Sequence, residues 1–205
     1  MPIAELMSYQ NTKNGRYRIA MMLAQHCAPL FMRDKISNII TLDKSDFREV
    51  KDILLETDIS YRILKSARDK LILFLYRKFT FETYLGQKDI RVFLRSLGYD
   101  PGASVERLLD RLAHRVYFFQ NGQIGFPHEI GVFLGYPLHD VKGFIRNKGN
   151  DWLLSGYWKV YANAEHAAAL FDRYEYDRDL FVRAVARGRD IIDLINDYSK
   201  NARAV

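Results

Sequence analysis

The chain has 205 residues, 48% hydrophobic and 27% charged, with a net charge of +6 at pH 7 and one cysteine. This is the composition of a folded domain, and a lone cysteine excludes an internal disulfide scaffold. No uninterrupted apolar run exceeds six residues, far short of the roughly 20 that a membrane-spanning helix needs, and Met1 to Met7 lacks the basic and apolar regions of a secretory signal. The expectation is a cytoplasmic protein with no membrane contact.

Residues 1–20 are polar, broken by Asn11, Asn14 and Gly15, and read as a loose lead-in to one domain spanning 21–200. From Ile19 to Gln25 the chain is helix-compatible. Pro29 suits the first turn of a new helix, which would put Cys27 at a helix N-terminus and lower its thiol pKa. Ile36 to Leu42 is β-branched and reads as a strand. Ser45 or Asp46 is placed to cap a helix with Phe47, Val50 and Leu54 on one face.

Ser60 to Ser66 and Leu71 to Arg77 flank a turn near Arg68-Asp69 and predict a β-hairpin. Its second arm is apolar on both faces, as in a strand covered on two sides. Asp89 to Leu97 is an amphipathic helix ended by Gly98, and a turn follows at Pro101-Gly102. Ser104 caps the clearest amphipathic helix, with Val105, Leu108, Leu109, Leu112 and Val116 in register. After a turn at Asn121-Gly122, Gly156 to Tyr161 reads as a strand. Asn163 then caps a helix through Tyr174, and a last helix runs from about Asp179 to Tyr198, broken near Gly188. Strands and helices without regular alternation predict an α+β fold: a small, mostly antiparallel sheet of about four strands packed with about six helices.

Between Arg62 and Lys78 stand six cations, Arg62, Lys65, Arg68, Lys70, Arg77 and Lys78, against the single acid Asp69. Such a basic hairpin suits phosphate contacts. The segment 129–148 also has the spacing of a helix-turn-helix, with Gly131 as the small residue, Gly135 at the turn and Val141 with Phe144 on the following helix. Lys142, Arg146 and Lys148 would then join Arg62, Lys65, Arg68 and Lys70 as nucleic-acid contacts. Against this, Asp140 stands near the start of the reading helix and would meet phosphate repulsion.

The densest collection of polar, ligand-competent residues in an apolar setting is Gly125 to Ile145, which holds His128, Glu129, Tyr136, His139 and Asp140 among four glycines and two prolines. It contains no His-Glu-x-x-His, since position 132 is Val, and its glycines do not fit a dinucleotide or nucleotide-triphosphate loop. His26 and Cys27 with His128, Glu129 and Tyr136 form a candidate site for a small ligand or a metal: thiolate, imidazole and carboxylate can hold a divalent metal or iron, and a carboxylate-steered histidine can activate a thiol. Adjacent residues diverge by about 100° on a helix and 180° on a strand, so at most one member of each adjacent pair is expected in a shared pocket. Trp152, Tyr157, Trp158 and Tyr161 could line an aromatic wall for a flat ligand.

The segments His26-Cys27-Ala28-Pro29, Phe126-Pro127-His128-Glu129-Ile130-Gly131, Phe133-Leu134-Gly135-Tyr136-Pro137, Asp140-Val141, Gly143-Phe144 and Gly156-Tyr157-Trp158-Lys159 together resemble an uncharacterised bacterial family, a domain of unknown function found mainly in anaerobic Firmicutes. The resemblance covers about residues 24–190. It implies a redox or iron-linked role beside flavodoxin or iron-uptake functions, so an acidic flavodoxin-like partner docking on the basic hairpin or the aromatic strand is a third reading. Leu30-Phe31-Met32 and Leu153-Leu154-Ser155 stand where the family carries small residues and cysteines, which speaks against a cysteine-rich metal cluster here.

Overall fold

In the computed structural model, which describes residues 15–32, 34–100 and 102–201, the apolar run Leu71 to Tyr76 lies in the middle strand of a sheet. Three antiparallel strands, β1 (Ser37–Asp43), β2 (Ile59–Ser66) and β3 (Lys70–Arg77), are ordered β1-β3-β2. Ser37 pairs with Tyr76 on one side of β3, and Ile59 pairs with Arg77 on the other, with a bulge between Ile63 and Lys65. Because side chains alternate along a strand, β3 serves two cores. Leu71, Leu73 and Leu75 enter one, while Phe74 and Tyr76 enter the other. A strand sandwiched in this way has to be apolar throughout, as expected from the sequence.

On the first face lie α1 (Gly15–Phe31), α2 (Phe47–Leu55), α8 (Ala164–Ala186) and α9 (Ile191–Asn201). On the second lie α3 (Lys78–Leu85), α4 (Lys88–Ser96), α5 (Val105–Gln120), the single turn α6 (Ile130–Phe133) and α7 (Leu138–Arg146). Two short strands, β4 (Leu154–Ser155) and β5 (Lys159–Val160), form a second antiparallel ladder. It builds a third small core of Trp158, Val160, Ala167, Phe171 and Tyr174 against α8. The fold is α+β, with five strands among the described residues and more helices than expected. No helix among these residues is long and apolar enough to cross a membrane.

Several local expectations are corrected. Residues 1–14 of the lead-in lie outside the described residues, as does Pro101, while 15–20 already belong to α1. Pro29 starts no helix; it sits in the last turn of α1. Interrupting a helix with proline costs about 3 kcal/mol. Continuing α1 buries Leu30 and Phe31 completely, worth about 1.5–3 kcal/mol each, so burial wins. The end of α1 is closed by Arg77, which donates to the Leu30 and Phe31 carbonyls at 3.3 and 2.8 Å while also bonding Asp58 and Ser199.

Asp46 does not cap α2 with its side chain; its carboxylate takes Arg18 instead. Asn163 makes no side-chain cap either, and enters α8 in the left-handed region at φ 54°. The two helices expected around Tyr174 and Asp179 are one continuous α8, and the break falls at Gly188, φ 85°. Ser104 does cap α5, accepting the Arg107 amide. Gly98, φ 78°, ends α4, with Tyr99 N donating back to Leu94 O at 3.1 Å.

Candidate functional site

The Gly125 to Ile145 stretch packs through its glycines. Gly135 has φ 76°, and a Cβ there would stand 2.8 Å from Ile36, so only glycine fits the turn between α6 and α7. A Cβ on Gly143 would lie 2.5 Å from the Tyr161 ring, and one on Gly131 would lie 3.0 Å from Val141. Close approach lets the Gly156 to Tyr161 segment lie directly on α7. Asp140, buried in the first turn of α7, locks it there: it accepts the Trp158 indole N–H at 2.8 Å and the Tyr161 and Ala162 amides at 2.7 and 3.3 Å. The carboxylate expected to repel phosphate is therefore turned inward.

Glu129 is engaged with α5. It is 2% exposed and holds Arg115 by an ion pair and the Tyr99 hydroxyl at 3.0 Å. Burial first, then the charge of Glu129, push the Tyr99 hydroxyl pKa up. This is an anchor between α5 and α6, since a buried carboxylate persists only when paired and hydrogen-bonded.

His128 and Tyr136, by contrast, share one cavity of about 270 Å³ with Phe126, Ile130, Phe144, Trp158 and Lys159. The Tyr136 and Trp158 rings stack at 5.0 Å and 27°. The His128 ring lies 5.2 Å from both Phe126 and Phe144. Burial raises the Tyr136 pKa, keeping it a neutral donor. Lys159 donates to Gly149 O at 2.6 Å and lies 4.0 Å over the Trp152 ring. The wall is thus aromatic, with an imidazole, a phenol and an ammonium at its edges.

His26 belongs elsewhere. It borders a second cavity of about 480 Å³ with Lys35, Asn38, Tyr157, Glu175 and Arg178. The tight turn between β4 and β5 separates the two: Gly156 and Tyr157 face this cavity, Trp158 and Lys159 the other. Phe171 packs on both rings, edge-on to Trp158 at 4.6 Å and tilted to Tyr157 at 5.6 Å.

Cys27 is fully buried near the C-terminal end of α1, so the activated-thiol expectation is corrected. Burial pushes its thiol up to about 12, against weaker opposing effects from Asn38 and Lys35. Adjacent helical residues diverge as expected: His26 is exposed where Cys27 is buried. Among the described residues no group of three or more His, Cys, Asp or Glu is placed to hold a metal.

Two of the candidate nucleic-acid residues, Arg62 and Lys70, sit in ion pairs. Arg62 bonds Asp110, Lys70 meets Asp43 at 2.8 Å and Lys78 meets Glu106 at 3.0 Å, while Arg77 is buried at the end of α1. Lys65 and Arg68 make no ion pair with a described residue, and Lys142 lies 5.8 Å over Phe93. Arg146 and Lys148 are exposed. The first helix of the helix-turn-helix spacing is the four-residue α6, too short to brace a reading helix. His114, His139 and His166 are exposed, as surface residues should be.

Four residues that carry the geometry stood out little or not at all in the sequence. Asp140 had a usable signal, a carboxylate inside an apolar helix turn. Arg77 and Arg115 looked like surface cations, and Lys35 stood alone between a helix and a strand. Lys35 is 9% exposed, and burial pushes its ammonium down to about 8. Beside it Arg173 grips Asp34 at 2.7 and 2.6 Å. Asp177, whose Oδ2 is buried without a hydrogen-bond partner, is raised to about 7 by burial and by Asp34.

Residues 23–195 match the model of a family described as protein of unknown function (DUF3793). The chain belongs to DUF3793. No curated protein and no solved structure matches it. The DUF3793 match takes in α1 from Leu23, the whole sheet, both cavities and α9 as far as Ile195.

Proposed function

We propose that this DUF3793 protein binds a small, flat, largely apolar ring compound in the cavity between α6, α7 and β5. The observation that carries the reading is the stacked Tyr136–Trp158 pair facing His128 and Phe144 across a cavity of about 270 Å³. Ligand clefts are usually about 300–1,000 Å³ and apolar with a few convergent polar groups, so this one suits a single fused ring system. His128 and the Tyr136 hydroxyl supply hydrogen bonds, and Lys159 favours an acidic substituent. His26 and Cys27 take no part in this binding, and neither does Glu129.

The test is a screen of planar heteroaromatic acids and their esters, read by quenching of tryptophan fluorescence and by thermal shift. A true occupant loses on the order of tenfold or more in affinity in His128→Ala and in Phe144→Ala, as expected when a buried contact worth about 1.4 kcal/mol or more is removed. Lys159→Met lowers affinity for the acids but not the esters. Hits that bind both wall variants as well as the unaltered protein would remove the reading.

A further inference from the structure

A buried lysine ordinarily has a carboxylate beside it, because an ammonium removed from water costs several kcal/mol unless paired. Lys35 has none among the described residues. Its Nζ donates to Asn38 Oδ1 at 3.0 Å and lies 5.8 and 6.0 Å over the Tyr157 and Tyr174 rings. The Asn38 amide is in turn held by His26 O at 2.5 Å and by Cys27 Sγ at 3.6 Å. The acceptor thus fixes the amine from below, and the side chain borders the open cavity of about 480 Å³.

The other charged and titratable groups around the cavity are distributed over two helices. From α1 come His26 at the border and the buried Cys27 thiol; from α8 come Asp172, Glu175 and Arg178, with Tyr157 opposite. Glu175 is engaged by the Tyr157 hydroxyl at 2.8 Å and by Arg178, so it does not neutralise Lys35. The cavity floor therefore presents a desolvated amine with donor capacity unused by protein, and its border carries hydrogen-bonding groups. A desolvated lysine in a pocket is the arrangement that makes an amine nucleophilic toward carbonyl carbon.

We propose that Lys35 is a carbonyl-capturing residue, forming an imine with a small polar aldehyde or 2-oxo acid in this second cavity. The neutral amine adds Nζ to the carbonyl carbon, breaking the C=O π bond. The resulting carbinolamine then expels its oxygen as water, which carries away the two hydrogens lost from Nζ and leaves C=N. No oxidant or reductant is consumed, and the step is reversible. Burial supplies the neutral amine: at pH 7.5 roughly a quarter of a lysine titrating near 8 is neutral, against about one in a thousand of an ordinary lysine. A 2-oxo acid additionally offers a carboxylate to Arg178 at the cavity border.

The experiment is reductive trapping. The intact protein is incubated with pyruvate or with glycolaldehyde, sodium cyanoborohydride supplies hydride to any imine, and modified lysines are located by peptide mass. Lys35 is expected to label on the order of tenfold or more faster than exposed Lys51 and Lys88 at pH 7.5, with a rate that rises through about pH 8. Labelling with pyruvate alone assigns a 2-oxo acid site; labelling with glycolaldehyde alone, or with both, assigns a small-carbonyl site without carboxylate recognition. Asn38→Asp, which sets a carboxylate beside Nζ and keeps the lysine, is expected to slow trapping at pH 7.5 about tenfold or more by holding the amine charged. Trapping at Lys35 no faster than at Lys51 and Lys88 overturns the proposal, as does a rate unchanged by Asn38→Asp.

Discussion

Replacing Asp140 with alanine tests how the α7 and Gly156 to Tyr161 segments are held together. The change removes the acceptor of the Trp158 indole at 2.8 Å and of the Tyr161 and Ala162 amides at 2.7 and 3.3 Å. A buried donor left without a partner costs about 1–3 kcal/mol; the Ala162 bond is long and counts least, so the loss is about 3–5 kcal/mol. At roughly 2–4 °C per kcal/mol for a domain of this size, the melting temperature falls by about 6–20 °C. Asp140→Asn keeps an acceptor for one partner but turns its NH2 toward another donor, and loses about 1–3 kcal/mol. Chemical denaturation of Asp140→Asn, Trp158→Phe and the double variant isolates the pair: removing the indole donor relieves the clash in the asparagine protein, so the double variant costs less than the two single changes together. An Asp140→Ala protein within about 1 kcal/mol of the unaltered one, below the cost of even one orphaned donor, would show that these hydrogen bonds do not hold the module.

Two more predictions rest on buried titrating groups. Asp177, at about 7 against an ordinary 3.8, binds its proton more tightly in the folded chain; its stabilising contribution is full below about pH 4 and is lost as pH rises toward 7. Asp177→Asn removes the charge beside Asp34, so it raises the melting temperature at pH 8 by about 2–4 °C and leaves it nearly unchanged at pH 4.5; equal shifts at both values would contradict the raised carboxyl. Cys27, with its thiol near 12, reacts with iodoacetamide at pH 8 roughly a thousandfold more slowly than an ordinary thiol by thiolate fraction alone. Mass spectrometry of native against guanidinium-unfolded protein reads this directly, and comparable rates would contradict the burial.

Legibility followed how local the physics was. The hairpin was readable because its apolar second arm and the Arg68-Asp69 turn are neighbours in sequence, and α5 because its apolar period and Ser104 cap sit within one segment. Helix α3 was missed because Lys78 to Leu85 is rich in Phe, Thr and Tyr, residues that favour strands, and has no clear apolar stripe; Phe81 and Leu85 are drawn into the core by β3 and α5. The Pro29 boundary failed because tertiary burial of Leu30 and Phe31 overrode a sound local rule. In the candidate site, His128 and Tyr136 were identified and do share a cavity, whereas Glu129, one residue from His128, is buried against Arg115 and Tyr99, as the divergence of adjacent side chains allows. Lys35 could not be found from sequence, since its significance comes from Tyr157 and Tyr174 more than 100 residues away.

The polar density that drew attention to Gly125 to Ile145 now divides by physical role. Gly131, Gly135 and Gly143 each stand where a Cβ would meet another side chain at 3.0 Å or less, and Glu129 and Asp140 each hold two elements together from a buried position. Packing of this kind makes a rigid wall, because interiors at close-packed density cannot absorb an added methyl without displacing neighbours. Rigidity is what a ring-binding surface requires: an aromatic face held in advance loses little entropy when a flat ligand stacks on it. The glycines and carboxylates thus serve packing, and Gly131 and Asp140 line the cavity beside His128, Tyr136 and Trp158. Any reactivity in the molecule must come from a group left less fully paired, and that requirement points away from the motif-rich stretch and toward Lys35.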